Sequence, residues 1–371
     1  MTAWPSSHSV FISRCFWDYY LHVFQKQYAF ELVRRFKTRV TWFDPPTRNP
    51  LTWFRERKRE INGVVVRRPF AIRNEYERFL DLDRKLFNIQ LRSSLKDKTK
   101  PDLWSVACAH PWLASSKSFS KSIYWPGDYF NPEKEFNEFE SYDLVMPWTP
   151  QSIENIPRQY KGIPFLSSTC AGSHFMEFDH SKPLNRRFDF RNQFTKTVVY
   201  IGGLSTGRVD FELLSKLAYN LPDHAILMGA KPDGKADTLK AVKAITNFPN
   251  VFIFEELKYH ELAELTHAAD VCIIPYHTTG FNAGCCPNKF FEYSALGKST
   301  ISTPVPSLEV FLPNVSIAQN HHEFTQMVKV EAMKNPSETK REKLLELAGD
   351  ATPKATLERM KLAFAVNQQN P

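Results

Sequence analysis

The sequence predicts an α/β protein built from two Rossmann-like domains, each with a parallel sheet. Three observations predict it. β-branched apolar runs alternate with helical patterns across short links, this grammar occurs in both halves, and 371 residues exceed one ordinary core.

The second half shows the alternation most cleanly. "TKTVVYIGGL" (195–204) is a strand ending in glycines, and "DFELLSKLAYNL" follows with helical spacing. "HAILMGA", with Gly229 near its end, and "NVFIFEEL" are the next strands. "YHELAELTHAAD" is a helix, "VCIIPY" (271–276) a buried strand, and "NKFFEYSALG" a helix stopped by Gly297. "STIST" is another strand, and the tail from 336 is helical. In the first half "HSVFISR" leads into a helix over 18–36, followed by the strands "RVTWFDPP" and "GVVVRRPF" and a basic helix over about 74–97. "DLWSVACAH", "KSIYWPGD", "DLVMPWT" and "IPFLSS" read as four further strands. The polar, aperiodic segment 179–195 is the expected linker. The expected division is 1–185 for an acceptor-binding domain, 195–350 for a nucleotide-binding one, and 351–371 for a terminal helix able to return to the first domain. Ligands of such sheets bind outside the carboxyl ends of the strands, so the expected site is a cleft between two facing domains.

A chain that is 42% hydrophobic and 24% charged has the balance of a soluble globular protein. No run of about 18 apolar residues offers a spanning helix. The opening "MTAWPSSHSVFISR" lacks the basic start of a secretory leader. Six scattered cysteines, only Cys285 and Cys286 adjacent, read as reduced thiols, and no Cys/His spacing suits zinc. The expected location is therefore cytoplasmic, with room for peripheral attachment to the inner face of a membrane.

The net charge of +8 is unevenly spread. Residues 1–190 hold 29 Lys+Arg against 21 Asp+Glu, and residues 191–371 hold 19 against 19. The stretch 49–70, "NPLTWFRERKREINGVVVRRPF", joins Trp53 and Phe54 to Arg55, Arg57, Lys58, Arg59, Arg67 and Arg68. Basic side chains beside aromatics suit the surface of an anionic membrane. No helix-turn-helix, RNA-binding aromatic signature or zinc module accompanies them, so nucleic acid is not the expected partner. A solvated loop with ordinary surface charge is the competing reading.

The chemistry concentrates in "GCCPNKFFEYSALGKSTIST" (284–303). Pro287 and Asn288 open a helix whose first N–H groups and dipole make an anion site. Lys289 in the first turn is misplaced for helix stability, and makes sense where an anion binds. Glu292, one turn later on nearly the same face, can accept from a pair of hydroxyls. A phosphate reader followed by a diol reader is what a nucleoside diphosphate requires. An ordinary amphipathic helix with a surface Lys and a half-buried Glu accounts for the spacing equally well.

The order "YIGGL…DFELL…LMGA…NVFIFEEL…ELAELTHAADVCIIPY…PNKFFEYSALGKSTIST" resembles the C-terminal, nucleotide-sugar-binding domain of GT-B fold glycosyltransferases. In particular it is similar to the bacterial family 4-like group of teichuronic-acid and exopolysaccharide transferases, which carry a "P-x-K-x-(F/Y)-E-Y-x-x-x-G-K" segment. The resemblance covers roughly 196–310, and more weakly "AHPW", "YWPGDYF", "YDLVMPWTPQSI" and "SSTCAGSHF". It implies that Lys289 contacts the diphosphate and Glu292 the ribose. Gly202 and Gly203 would let backbone approach the leaving phosphate or the acceptor, and Gly229, Pro287 and Asn288 complete the nucleotide set. Many retaining relatives have a Glu eight residues before the ribose Glu; this chain has Gly284, which favours an inverting enzyme.

An inverting transfer needs a base for the acceptor hydroxyl. Asp128, after "SIYWPG", and His110, after "WSVACA", sit at strand ends in the first half. Asp128 is the expected base with His110 beside it; a helix-capping Asp128 is the plain alternative. His174 stands where the resemblance has an Asn-Gly-Val-Asp type loop. "DLD" (81–83) matches a metal-binding pattern but reads better as a solvated helix face, and "NHHEF" (320–324) as a loop. The expected activity is hexosyl transfer from a nucleotide sugar, UDP-linked by preference, to a glycan or lipid-linked acceptor in cell-surface polysaccharide synthesis. No metal or cofactor is expected beyond that donor. The alternatives are an inactive GT-B module serving as a binding subunit, and a GT-B-like sugar-nucleotide epimerase.

Overall fold

Each β-branched run of the sequence becomes a strand because both sheet faces are covered and alternation with polar residues is not needed. The computed structural model describes residues 4–18, 25–73, 81–95, 99–126, 137–147, 165–167, 171–278, 280–334 and 337–366. The chain divides into two units, Met1–Ser168 with Pro353–Pro371, and Thr169–Thr352.

The first unit contains β1 (His8–Ser13), α1 (Gln25–Phe36), β2 (Arg39–Phe43), α2 (Pro50–Glu56), β3 (Arg59–Ile61), β4 (Val64–Arg67), α3 (Asp81–Ser94), β5 (Asp102–Val106), α4 (Pro111–Ala114), β6 (Ser122–Trp125) and β7 (Leu144–Val145). Its strand order is β3-β4-β2-β1-β5-β6-β7, parallel except for β3 against β4. Phe11, Trp42 and Trp104 stack across three neighbouring strands, with centroids 5.4 and 4.8 Å apart. Aromatic faces of that size fill a sheet face with few residues.

The second unit contains α5 (Ser173–Met176), β8 (Lys196–Leu204), α6 (Phe211–Asn220), β9 (His224–Pro232), α7 (Ala236–Ile245), β10 (Val251–Phe254), α8 (Tyr259–His267), β11 (Val271–Ile274), α9 (Asn288–Ala295), β12 (Thr300–Ser302), β13 (Ser316–Ile317), α10 (His321–Ala332) and α11 (Glu338–Asp350). The strand order β10-β9-β8-β11-β12-β13 is the doubly wound arrangement, with its direction of winding reversing between β8 and β11. The last helix, α12 (Pro353–Val366), belongs to the first unit, where Phe364 lies 5.2 Å from Trp4 and Lys121 sits over its ring.

Several local readings change. The segment 179–195 is part of the second unit: Phe188, Phe190 and Phe194 pack on Phe252 and Phe254 of β10 at 4.4–5.8 Å. Its polar residues hid three aromatics that share one contact. "NHHEF" starts a helix, because Asn320 accepts from the Glu323 N–H at 2.9 Å and caps α10. In "IPFLSS" the described residues contribute a single bridge, Phe165 to Val145. Helix α2 was not anticipated, although Asn49 followed by Pro50 is a start signal: the Asn49 side chain accepts from Leu51 and Thr52.

"DLD" is helical, but Asp83 faces inward rather than to solvent. It is fully buried and accepts from the backbone N–H groups of Ile72, at 2.6 Å, and Arg73. Among the described residues no group of His, Cys, Asp or Glu could hold a metal ion. Asp83→Ala removes a buried carboxylate that both N–H groups bond, a loss of about 1–3 kcal/mol. The urea midpoint of the first unit is expected to fall accordingly. An unchanged midpoint would show that water replaces the carboxylate.

Candidate functional site

Strands β8 and β11 pair at only two positions, Val271 with Val198 and Cys272 with Val199. Beyond these they part, while β8 stays paired with β9 as far as Leu204. Helix α9 covers the gap. The Tyr293 hydroxyl accepts from the Ile201 N–H at 3.0 Å and reaches toward the Ile273 carbonyl at 3.4 Å, taking the place of the missing ladder bonds. This wedge sets α9 over the carboxyl ends of the two central strands, where such sheets bind ligands.

Pro287 precedes the first helical residue and offers no capping side chain, so the first turn of α9 relies on other partners. Lys289 lies in that turn and is buried, with 9% of its surface exposed. It is not a surface lysine. Its Nζ donates to the Tyr276 hydroxyl, 4.5 Å from that ring's centroid and 5.3 Å from the Tyr200 ring. Gly202 has φ +132°, and a β-carbon there would sit 3.2 Å from Lys289 Cε, so the glycine serves both a backbone need and the lysine's path. At Gly203 the space is open, and its carbonyl accepts from Tyr200 Oη at 2.8 Å.

A second cation meets the same tyrosine. The Arg208 guanidinium lies 5.6 Å from the Tyr276 centroid. Its loop is held in place: the Arg208 carbonyl accepts from His277 N and Asn282 Nδ2, and Val209 bridges to Tyr276. Asp210 caps α6, accepting from Leu213 N–H, and pairs with His321 at 2.8 Å. The sequence reading passed over Arg208. The available signal was a basic residue in the turn after the strand-end glycines and just before a helix cap.

Glu292, one turn along α9, is half-buried, and its Oε1 accepts from the Tyr259 hydroxyl at 2.5 Å. Burial raises its pKa above the usual carboxylate value, opposed by the Tyr259 hydrogen bond and the charge of Lys289. Asn288 Oδ1 is buried and has no hydrogen-bond partner among the described residues. Gly229 lies under α8, where a β-carbon would meet Leu265 and Leu262 at 2.6 and 2.8 Å; the space it leaves is filled by leucines. Cys285 and Cys286 are buried, and burial pushes the Cys286 thiol up to about 12, so both act as packing.

In the first unit His110 is buried at the start of α4, with its N–H donating to Tyr142 Oη at 2.6 Å and that hydroxyl donating to Ser105. Burial holds its imidazole down at about 4. Such a ring is neutral at pH 7 but a weak proton acceptor. Asp128 lies outside the described residues.

Gly202 thus lies beside Lys289, Pro287, Asn288 and Glu292 share the start of the same helix, Tyr200 bonds the Gly203 carbonyl, and Arg208 joins Lys289 at Tyr276. Two cations on one tyrosine beside a helix N-terminus suit a multiply charged anion, and the carboxylate beyond suits hydroxyls.

Comparison with known proteins bears on the whole chain. An alpha,alpha-trehalose-phosphate synthase (UDP-forming) from Burkholderia xenovorans superposes with a TM-score of 0.68 at 11% identity, covering 98% of this chain and 100% of that one. The fold is GT-B. The E. coli trehalose-6-phosphate structure bound with UDP-2-fluoro glucose gives 0.68 at 10% identity, covering 98% and 99%. WaaG, a glycosyltransferase involved in lipopolysaccharide biosynthesis, gives 0.60 at 11%, covering 95% and 98%. In sequence, 108 residues are 27% identical to TuaH of Bacillus subtilis (strain 168), named as a teichuronic acid biosynthesis glycosyltransferase. That match spans 29% of this chain and about a quarter (26%) of TuaH. No family model matches.

Proposed function

We propose that this GT-B chain is a glycosyltransferase that moves a hexosyl group from a nucleoside-diphosphate sugar, UDP-linked by preference, to a glycan or lipid-linked acceptor of a cell-surface polysaccharide. The observation that carries the reading is the meeting of Arg208 and Lys289 at Tyr276, with Glu292 one turn beyond. A di-anion with an attached diol would use that whole arrangement. The neighbouring structure bound with a UDP-sugar analogue and the similarity to TuaH support the donor and the polysaccharide role.

In this mechanism the diphosphate lies against Lys289, Arg208 and the first N–H groups of α9. As the bond to the anomeric carbon breaks, charge grows on the departing phosphate, and fixed cations stabilise it without reorganising. Glu292 accepts from the ribose hydroxyls, Gly203 leaves space for close approach, and the Asn288 amide can meet a sugar hydroxyl. No metal is assigned, because chain cations take the place one would occupy. Gly284 supplies no carboxylate at its position, which supports direct displacement with inversion. Asp128 is the proposed base.

The donor site is tested by isothermal titration with UDP in EDTA. Charge-assisted contacts are worth about 1.5–3 kcal/mol each. Lys289→Ala, Arg208→Ala and Glu292→Ala are therefore each expected to weaken binding by roughly one to two orders of magnitude. Unaltered affinity in all three removes the nucleotide from this helix, and binding that requires added magnesium or manganese overturns the metal-free assignment.

For the base, Asp128→Asn keeps shape and removes basicity. Turnover is expected to fall by about 10²–10⁴ with UDP affinity nearly unchanged. Collapse of turnover in His110→Ala but not in Asp128→Asn exchanges the roles. UDP binding by the wild type without transfer to any acceptor would favour the inactive binding module.

The acceptor side of the proposal includes peripheral contact with an anionic membrane. Helix α2 buries none of its residues, and Leu51 and Phe54 are 83% and 63% exposed between Arg48, Arg55, Arg57 and Lys58. On α3 the exposed positions Leu82, Lys85, Ile89 and Arg92 share one face by helical spacing. Trp53 lies 6.0 Å from Phe70, whose backbone is bonded to Gln90 of α3, so both helices pack on the same segment. No described helix is long and apolar enough to cross a membrane. Each basic residue near an anionic surface contributes about 1 kcal/mol, screened by salt. Flotation with phosphatidylglycerol vesicles at low salt and not at high salt is expected. Equal binding to neutral vesicles, or binding to neither, sinks this part.

A further inference from the structure

We infer that Tyr259 is a positioning residue for nucleotide recognition: its hydroxyl orients the Glu292 carboxylate so that the second oxygen is presented to a ribose diol. The inference rests on the nucleotide reading of α9 given above. Its own observations are the Glu292–Tyr259 hydrogen bond and the way the surrounding chain makes room for it.

Tyr259 begins α8 and reaches Glu292 Oε1 at 2.5 Å. Its ring is clamped edge-on by His174 and Phe175 of α5, with centroids 5.2 and 5.4 Å away. A β-carbon built at Gly172 would land on the Tyr259 hydroxyl. Gly172 has φ −67° and ψ 139°, a conformation open to any residue, so only the tyrosine requires a glycine there. Three segments therefore converge on one phenol: α8 supplies it, the 172–175 stretch confines it, and Glu292 of α9 accepts its hydrogen bond. The carboxylate is held at one oxygen by a neutral donor. Its other oxygen keeps its acceptor capacity, which a competing lysine or arginine at the same place would have consumed.

The same contact governs protonation. Burial raises the Glu292 pKa, and the Tyr259 donor and Lys289 oppose it. Facing groups are Lys289 from its own helix, Tyr259 from α8 and His174 from α5; α11 packs along α9 and brings Arg341 to Gly297. Burial and His260 lower the His174 pKa, so that ring is a second group titrating in acid. A raised carboxylate pKa means that acceptor capacity is complete at high pH and lost as pH falls through it. Without the phenol, that loss starts at higher pH.

The test is titration calorimetry of the full chain with UDP and with 2′,3′-dideoxy-UDP across pH. Tyr259→Phe is expected to weaken UDP about tenfold at neutral pH, the size of one buried hydrogen bond, with dideoxy-UDP changed less than about twofold. The acid limb of UDP binding should also move to higher pH. Gly172→Ala should reproduce both effects by displacing the ring. Equal losses for both ligands, or no loss for either, overturn the positioning role while leaving the nucleotide site standing. If Glu292→Gln weakens both ligands equally or neither, or the wild type binds neither, the ribose reading itself fails and this inference with it.

Discussion

The second unit depends on a gap in its own sheet. Where the winding reverses, β8 and β11 keep two paired positions and then diverge. Backbone groups left without a ladder partner in a buried place must be satisfied by something else. Tyr293 does this from α9, and so the helix cannot sit elsewhere without stranding Ile201 N–H. The position of Lys289 and Glu292 follows from that one hydroxyl, because they lie one turn back and one residue back on the same helix.

Once α9 is placed, the charge pattern is constrained. Lys289 is carried into a buried position between two tyrosine rings, where losing water is costly for an ammonium group. Ring faces and a phenol oxygen return part of that cost, at about 0.5–2 kcal/mol for each cation–π contact. Gly202 is needed with its positive φ because any side chain there would press on the lysine stem. The cation thus stands ready beside uncapped N–H groups, and an arriving anion completes its solvation. Glu292 is balanced the opposite way: burial disfavours its charge, and the Tyr259 donor offsets part of that.

Much of this was legible from residue order, and the misses share a cause. The strands of 195–303 and helices α6, α8 and α9 followed from β-branched runs, helical spacing and Gly297, whose φ of +65° ends α9 as a helix stop should; α7 (Ala236–Ile245) was not read. Pro287, Lys289 and Glu292 stand out in the sequence because they lie within one turn or so of each other. Arg208, Tyr200, Tyr276 and Tyr259 were missed because each reaches the crevice from a different strand end or helix start. No local spacing records that convergence. Asp83 misled for a related reason: helical periodicity showed the helix, but which backbone donors approach a carboxylate is decided by a segment folded back from 72–73. The Phe residues of 188–194 were hidden by their polar neighbours until β10 gave them a common surface.

The first unit shows that the topology alone does not make such a crevice. Its central strands run in the same order, and its reversal lies between β1 and β5. There the ladder stays closed through five positions, from Ser9–Asp102 to Ser13–Val106, and the Arg14 N–H continues it to the Val106 carbonyl. No gap needs a helix-borne hydroxyl, and the centre is filled instead by Phe11, Trp42 and Trp104. Two sheets of one winding therefore differ in where their central pair stops bonding. In the second, early separation admits α9 with its lysine and glutamate. In the first, pairing continues across the switch point and, among the described residues, no helix-borne hydroxyl replaces a ladder bond there. The fold supplies the switch point, and the length of the ladder across it decides what chemistry can enter.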